Sequence, residues 1–513
     1  MKKILLTLMV LLATVTVQAK VIKITMSDGS WKIYTSSQLS EISFNEDGTA
    51  SVVGYDGELL ATLDPDIDEI TINDDVEIMD ITEKTLSFDV SAIAARFGID
   101  LSSSSTSFDV DMTERDVTQF SFVYPSTDPY GDPVTLSAML TIPNDILNGE
   151  VKSDGILLFN HFTYSDTSWS PSNGFLFAEP VFLCNPYTPD YILVEADLYG
   201  FGVSARFPQA FVQGHANERA SLDALLAARQ LLRSMNINEG GLTFNVGYSS
   251  GGFEALSTQR CRDMEYADKI SFTKTFAGGS PSDVRENYRE LVRRDTIGYS
   301  CVLAMIIAAT NETQHLNKEY TEFFVPEVAA KIEPVVLSKK YNLLAIEPVL
   351  GAGKIIHNIL TEPYCNLDSE ESQNMQDVLA TLNLTQDWTP DRSQRIFIMN
   401  VEDDNVVPLS AAMAMVDYLK EHGMRTSIIP GLGNLQTDFS SSGMGHIAGF
   451  FPFVVKVISS IATWSIMYTD GVMKPEWQEL LKMEDSSARE LTPYEKCEAG
   501  LYDWLESSGL KLR

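Results

Sequence analysis

Leu242-Thr243-Phe244-Asn245-Val246-Gly247-Tyr248-Ser249-Ser250-Gly251-Gly252-Phe253-Glu254-Ala255-Leu256 runs from an apolar, strand-forming stretch through a G-x-S-x-G pentapeptide into a helix-forming one. The bare pattern arises by chance about 0.2 times in a chain of this composition, so its setting carries the weight. A strand that reverses directly into a helix leaves room for little but glycine beside the turn, and it forces the central residue into a strained conformation. That places the Ser249 hydroxyl exposed at a helix N-terminus. The backbone N–H of Ser250 lies next to it, facing any charge that develops on a bound carbonyl.

A serine hydroxyl needs a base to take its proton and a carboxylate to hold that base in one tautomer. The chain has six histidines, and His446, in Gly443-Met444-Gly445-His446, follows the last strand read from the sequence, Thr426 to Pro430. His215, in Gln213-Gly214-His215-Ala216, reads as structural. The acid belongs after the preceding strand, Arg395 to Val401, where Glu402-Asp403-Asp404-Asn405-Val406-Val407-Pro408 offers three carboxylates. Asp404 is preferred, with Asp403 the second choice.

Outward from this centre, strands are read at Gln119–Tyr124, Thr135–Ile142, Ile156–Asn160, Ile192–Ala196, Leu242–Val246 and Ile270–Phe276, with helices at Asn217–Met235 and Gly252–Met264. Strands alternating with helices predict an α/β fold, a mostly parallel sheet with helices on both faces. Pro281 to Trp388 is strand-poor and too long for a structureless loop. Its apolar runs Val302–Ala309 and Val335–Ile346 read as helix, and the segment is expected to form a helical cap at about 281–388 within a domain of 81–513. Residues 20–80 alternate apolar and polar positions between Asp-Gly pairs, which predicts a small β-rich N-terminal module. Ser102 to Ser105 reads as a loop. Ile447 to Met467 is long enough to span a bilayer, yet Lys456 near its middle favours a buried helix.

Lys2-Lys3, the apolar run Ile4–Leu12 and Val17-Gln18-Ala19 have the make-up of a signal peptide, 1–19, so export to the periplasm or beyond is expected. With 37 Lys and Arg against 71 Asp and Glu, a formal charge of -34, nucleic acid and anionic membranes are poor partners, and no stable membrane insertion is expected. A hydrophobic share of 44% supplies ample core. Five scattered cysteines include no C-x-x-C pair, so no metal centre and no cofactor are expected.

The order Ser249, Asp404, His446, with Asp404-Asn405-Val406-Val407-Pro408 as D-x-x-V-P and Asp197-Leu198-Tyr199-Gly200-Phe201-Gly202 as D-x-x-G-x-G, resembles the α/β-hydrolase superfamily. The likeness is greatest to its secreted lipase and esterase branch with a large helical cap, and it covers roughly Thr118 to Met467. The resemblance implies hydrolysis of a small-molecule carboxyl ester through an acyl-enzyme. It also implies an oxyanion hole from the loop after an early strand, Asn160-His161-Phe162-Thr163. Phe162 there stands where a glycine is usual, and the Phe162 and Ser250 N–H groups are assigned as donors, with Thr163 a helper. The cap run Val302–Ala309 with Tyr320, Phe323 and Phe324 is a candidate acyl pocket, although core packing accounts for the same residues. A peptidase with the same triad and a non-enzymatic binding protein are the rival readings.

Overall fold

The computed structural model describes residues 21–475, apart from 28–30, 36–38, 46–48, 55–56, 64–66, 74–75, 97–111, 426–433, 440–444 and 470–471. The signal-peptide segment 1–19, the Ser102–Ser105 loop, the strand expected at Thr426–Pro430, Gly443, Met444 and Cys497 lie outside the described residues.

The N-terminal stretch forms strands because apolar and polar residues alternate along it. They are β1 (Val21–Met26), β2 (Trp31–Thr35), β3 (Leu39–Phe44), β4 (Ala50–Gly54), β5 (Leu59–Leu63) and β6 (Ile67–Asn73). They pair antiparallel as two three-stranded sheets, β2-β1-β6 and β3-β4-β5. Ile22, Ile24, Ala50, Val52 and Leu63 form their shared core.

The large sheet has nine strands in the order β15-β14-β13-β12-β10-β11-β9-β8-β7. Its antiparallel edge comprises β7 (Glu77–Leu86), β8 (Arg115–Thr127) and β9 (Pro133–Pro143), and β9 pairs with β11 (Tyr191–Ala196). The sheet edge thus begins at residue 77. From β11 onward it is parallel, through β10 (Gly155–Asn160), β12 (Leu242–Tyr248), β13 (Lys274–Gly278), β14 (Ile396–Met399) and β15 (Leu435–Asp438). β10 to β14 are buried along their whole length, as strands covered on both faces must be. Helices α1 (Gly214–Ser234) and α2 (Ser250–Glu265) separate strands of this sheet in the chain.

Two strand positions differ from the sequence reading. Ile270 and Phe272 are buried at the approach to β13, but the strand itself starts at Lys274. The sheet's last described strand is Leu435–Asp438, beyond the Thr426–Pro430 segment, and it pairs with β14 from Ile396↔Leu435 to Met399↔Asp438.

Between β13 and β14 the chain is helical, with α3 (Val284–Arg294), α4 (Ser300–Thr313), α5 (Leu343–Leu350) and α6 (Glu370–Ala380) among its elements. Each has a physical start. The Asp283 carboxylate accepts from Glu286 N at 2.8 Å, and Ser369 Oγ accepts from Ser372 N at 3.1 Å. Glu347 accepts from Ser300 N and Cys301 N at 3.1 and 2.9 Å, so one carboxylate on α5 satisfies the orphan N–H groups of α4. The helix expected across Val335–Ile346 is interrupted at 337–342, because Asn342 caps α5 by accepting from Ala345 N.

After β14 come α7 (Leu409–Glu421) and α8 (His446–Met467). Among the described residues α8 alone is long and apolar enough to cross a membrane, and 67% of its most apolar window is buried. Phe453, Val454, Val457, Ile461 and Trp464 pack in one core with Phe244, Val246, Phe276 and Met399 of the sheet. Cys184, Cys261, Cys301 and Cys365 are all free thiols.

Candidate active site

Ser249 sits at the junction of β12 and α2 with φ 60° and ψ -126°, a left-handed backbone that a side-chain-bearing residue adopts only when its surroundings enforce it. The enforcement is steric. A Cβ on Gly247 would meet Gly251 O at 1.9 Å, and one on Gly251 would meet Asn160 O at 2.1 Å. The turn is further pinned by Ser249 N donating to Gly278 O at 2.8 Å. The hydroxyl is left half-buried at the C-terminal edge of the parallel strands.

His446 is the first residue of α8, and its Nε2 lies 2.8 Å from Ser249 Oγ. Its Nδ1 lies 2.7 Å from Asp404 Oδ2. Asp404 Oδ1 accepts from Val406 N and Val407 N at 2.9 and 2.7 Å, which leaves one oxygen facing the imidazole. Asp404 and His446 are 2% and 3% exposed, so little water competes for these bonds.

Asp403 does something else. Its Oδ2 accepts from Gly445 N at 3.0 Å, so it fixes the residue before the histidine and not the ring. Asn405 Oδ1 accepts from His446 N at 3.4 Å, and Tyr248 OH donates to His446 O at 2.5 Å. Burial, with the Asp404 and Asp403 carboxylates nearby, pushes the Tyr248 phenol well above its ordinary range, so it acts as a donor here.

His446 alone of the six histidines bonds Ser249. His161 is buried, its Nδ1 2.8 Å from Phe162 O and its Nε2 3.5 Å from Glu179 Oε1. His215 lies against Arg260 and Glu218, in keeping with a local structural part. Phe162 and Thr163 share a cleft with Ser249 and His446, and Thr163 Oγ1 donates to Ser250 Oγ at 3.1 Å, tying the loop after β10 to the start of α2. The D-x-x-G-x-G turn is built around Asp197, whose Oδ2 accepts from Ser137 Oγ at 2.5 Å. A Cβ on Gly202 would meet that oxygen at 1.9 Å.

The cleft holds about 750 Å³ between its walls, part of it open to solvent, and it is almost wholly apolar. Trp169, Phe177, Phe450 and Phe451 stand among its lining residues, as do Val302, Leu343 and Leu344 from the cap. Among the described residues that line it, none is Asp, Glu, Lys or Arg. The acyl pocket read from the cap run and its aromatics is therefore corrected. Of that set only Val302 lines the cleft, while Phe323 and Phe324 are buried in the core that the cap shares with the sheet. Trp169, Phe177 and Leu343 carried no motif that could have revealed them. Phe450 and Phe451 did have a signal, lying one helical turn after His446 on α8.

An imidazole between a serine hydroxyl and a buried carboxylate can accept the hydroxyl proton as oxygen attacks a carbonyl carbon. No family model and no curated protein sequence matches the chain. Solved structures do match. The rice cell wall degrading esterase LipA of Xanthomonas oryzae superposes with a TM-score of 0.58 at 20% identity, over 75% of this chain and 96% of its own. A Legionella pneumophila protein designated a candidate hydrolase gives a TM-score of 0.59 at 16% identity, over 76% and 98%.

The chain has the α/β-hydrolase fold.

In this fold β12, the Ser249 turn and α2 form a sharp strand-to-helix junction, with Asp404 on the loop after β14 and His446 at the start of α8, beyond β15. The cap is joined to both ends of this site. Gly298 N donates to Asn405 O at 2.7 Å beside the acid, and Thr167 N donates to Lys339 O at 3.1 Å beside the loop after β10.

Proposed function

We propose that this protein is an exported serine hydrolase that cleaves carboxyl esters bearing apolar groups. The observation that carries this reading is the bonded chain Ser249–His446–Asp404 opening into an uncharged apolar cleft. Ser249 Oγ attacks the ester carbonyl carbon while its proton passes to His446 Nε2. The resulting oxyanion is met by the N–H groups of Ser250 and Phe162, each worth about 2.7–4 kcal/mol if removed. His446 then gives its proton to the leaving alkoxide, and the alcohol departs, leaving an acyl-Ser249 ester. Water repeats the attack with His446 as base, releasing the acid and restoring the serine. Asp404 holds the imidazole tautomer throughout and stabilises the imidazolium.

Every step is carried by protein side chains and backbone amides. A peptidase of this architecture normally needs a charged group to hold a peptide terminus, and the described lining residues include none. The esterase LipA among the structural neighbours supports the same substrate class, and the leader-like residues 1–19 support export. The 20–80 module serves as an appendage to the hydrolase domain.

The test is hydrolysis of p-nitrophenyl esters of graded acyl length by the mature protein and by Ser249→Ala. Wild-type turnover that falls by about 10⁶ in the variant supports the reading. Equal rates in the two proteins, or activity on amides alone, sink it.

A further inference from the structure

The segment that interrupts the cap helices, Leu337–Asn342, carries Lys339 with φ 57°, a strained backbone in a residue that does not line the cleft. Its ammonium reaches out of the cap into the D-x-x-G-x-G turn. There Nζ donates to Gly200 O at 2.6 Å, Ala205 O at 2.8 Å and Phe207 O, three carbonyls for three protons, with the Phe201 ring 5.6 Å away. Among the described residues no carboxylate contacts it, and burial lowers its pKa to about 8. A cation placed without a counter-charge is held there by geometry.

The neighbouring backbone is tied as tightly. The backbones of Lys340 and Asp166 form an antiparallel β-bridge, Thr167 N donates to Lys339 O, and Ser165 Oγ donates to Tyr341 O at 2.8 Å. Those partners belong to the loop that carries Phe162, Thr163 and Trp169, one wall of the cleft. The residues immediately after the junction, Leu343 and Leu344, line the cleft from the cap.

We propose that Lys339 is a specificity-determining positioning residue: by latching the cap to the turn 200–207 it fixes the separation between the Leu343–Leu344 wall and the Phe162–Trp169 wall, and so selects the ester's apolar chain length. This rests on the ester-hydrolase reading of Ser249. Removing the ammonium leaves three carbonyls without their donor and frees the one junction from which both walls depart.

The experiment compares wild type and Lys339→Met on p-nitrophenyl acetate, butyrate and octanoate, together with amide hydrogen exchange of the 338–344 segment. The expected result is a change of at least about fivefold in the octanoate-to-acetate ratio of kcat/KM, the scale on which apolar walls discriminate methylenes, with faster exchange across the segment. An unchanged ratio, with any loss uniform along the series, overturns the proposal, as does unchanged exchange. Ser165→Ala, which removes a second tie at the same junction, should move the ratio in the same direction and serves if Lys339→Met does not fold. Should wild type hydrolyse no ester in the series, the parent reading fails and the specificity role falls with it. The exchange data then separate that failure from a latch that was never there.

Discussion

At the scale of single residues, the acidic loop separates two adjacent carboxylates by direction. Asp404 points one oxygen at His446 Nδ1 and spends the other on two backbone N–H groups, whereas Asp403 bonds the backbone of Gly445. Asp404→Ala should lower kcat on a p-nitrophenyl ester by about 10⁴-fold, because the imidazole loses its tautomer and its counter-charge. Asp403→Ala should cost only about tenfold, the effect of one lost bond that positions the histidine. Parallel steady-state assays decide between them, and a loss confined to the Asp403 variant would exchange the two roles. The motif spacing D-x-x-V-P favours Asp404 for a reason visible in the fold. Val406 N and Val407 N lie two and three residues on, where an Asx-type turn brings them back to the carboxylate.

At the scale of elements, the Ser249 turn rests on a buried polar ladder that crosses three strands. Asn160 Nδ2 of β10 donates to Asn245 Oδ1 of β12 at 2.7 Å, and Ser221 Oγ of α1 donates to Asn160 Oδ1 at 2.9 Å. Asn245 Nδ2 in turn donates to Ala255 O of α2 and to Thr275 Oγ1 of β13. Asn245→Ala strips partners from several fully buried groups at once. The expected cost is about 2–3 kcal/mol, seen as a lower denaturant midpoint with little change in slope. A midpoint equal to wild type would mean that the ladder contributes no net stability. Elements of this kind were legible in the sequence wherever the apolar run was continuous, as in β10, β11 and β12, or the helix long, as in α1 and α2. The cleft was not. Trp169, Phe177 and Leu343 converge from three separate segments, and no local periodicity encodes that meeting. Asn342 caps α5 from inside a run that reads as continuous helix by its apolar content.

At the scale of the whole molecule, the balance of charge sets the pH response. The chain carries -34 overall, and its buried acids include Glu195, Asp197 and Glu254. Burial raises Glu195 well above the carboxylate range, with the Glu179 and Asp197 charges adding to it, and among the described residues neither Glu195 oxygen has a hydrogen-bond partner. Glu254 is raised in the same way against a bond from Asn217, and Asp197 moves from 3.8 to about 6 despite bonds from Ser137 and Ser172. An acid whose folded pKa lies above its unfolded one makes the folded state bind the extra proton. Its contribution is complete below pH 3.8 and is lost as pH rises through about 6. For Asp197 alone that amounts to about 3 kcal/mol, at about 1.4 kcal/mol for each tenfold change in proton affinity. Surface self-repulsion grows over the same range and acts in the same direction. Stability measured by chemical denaturation should therefore fall from pH 4 to pH 7, opposite to the trend of a protein whose carboxylates are ion-paired. Asp197→Asn, neutral at every pH, should flatten the fall by about 3 kcal/mol. A wild-type curve that rises across this interval, or an Asp197→Asn curve parallel to it, would show that Asp197 stays ionised in the folded protein.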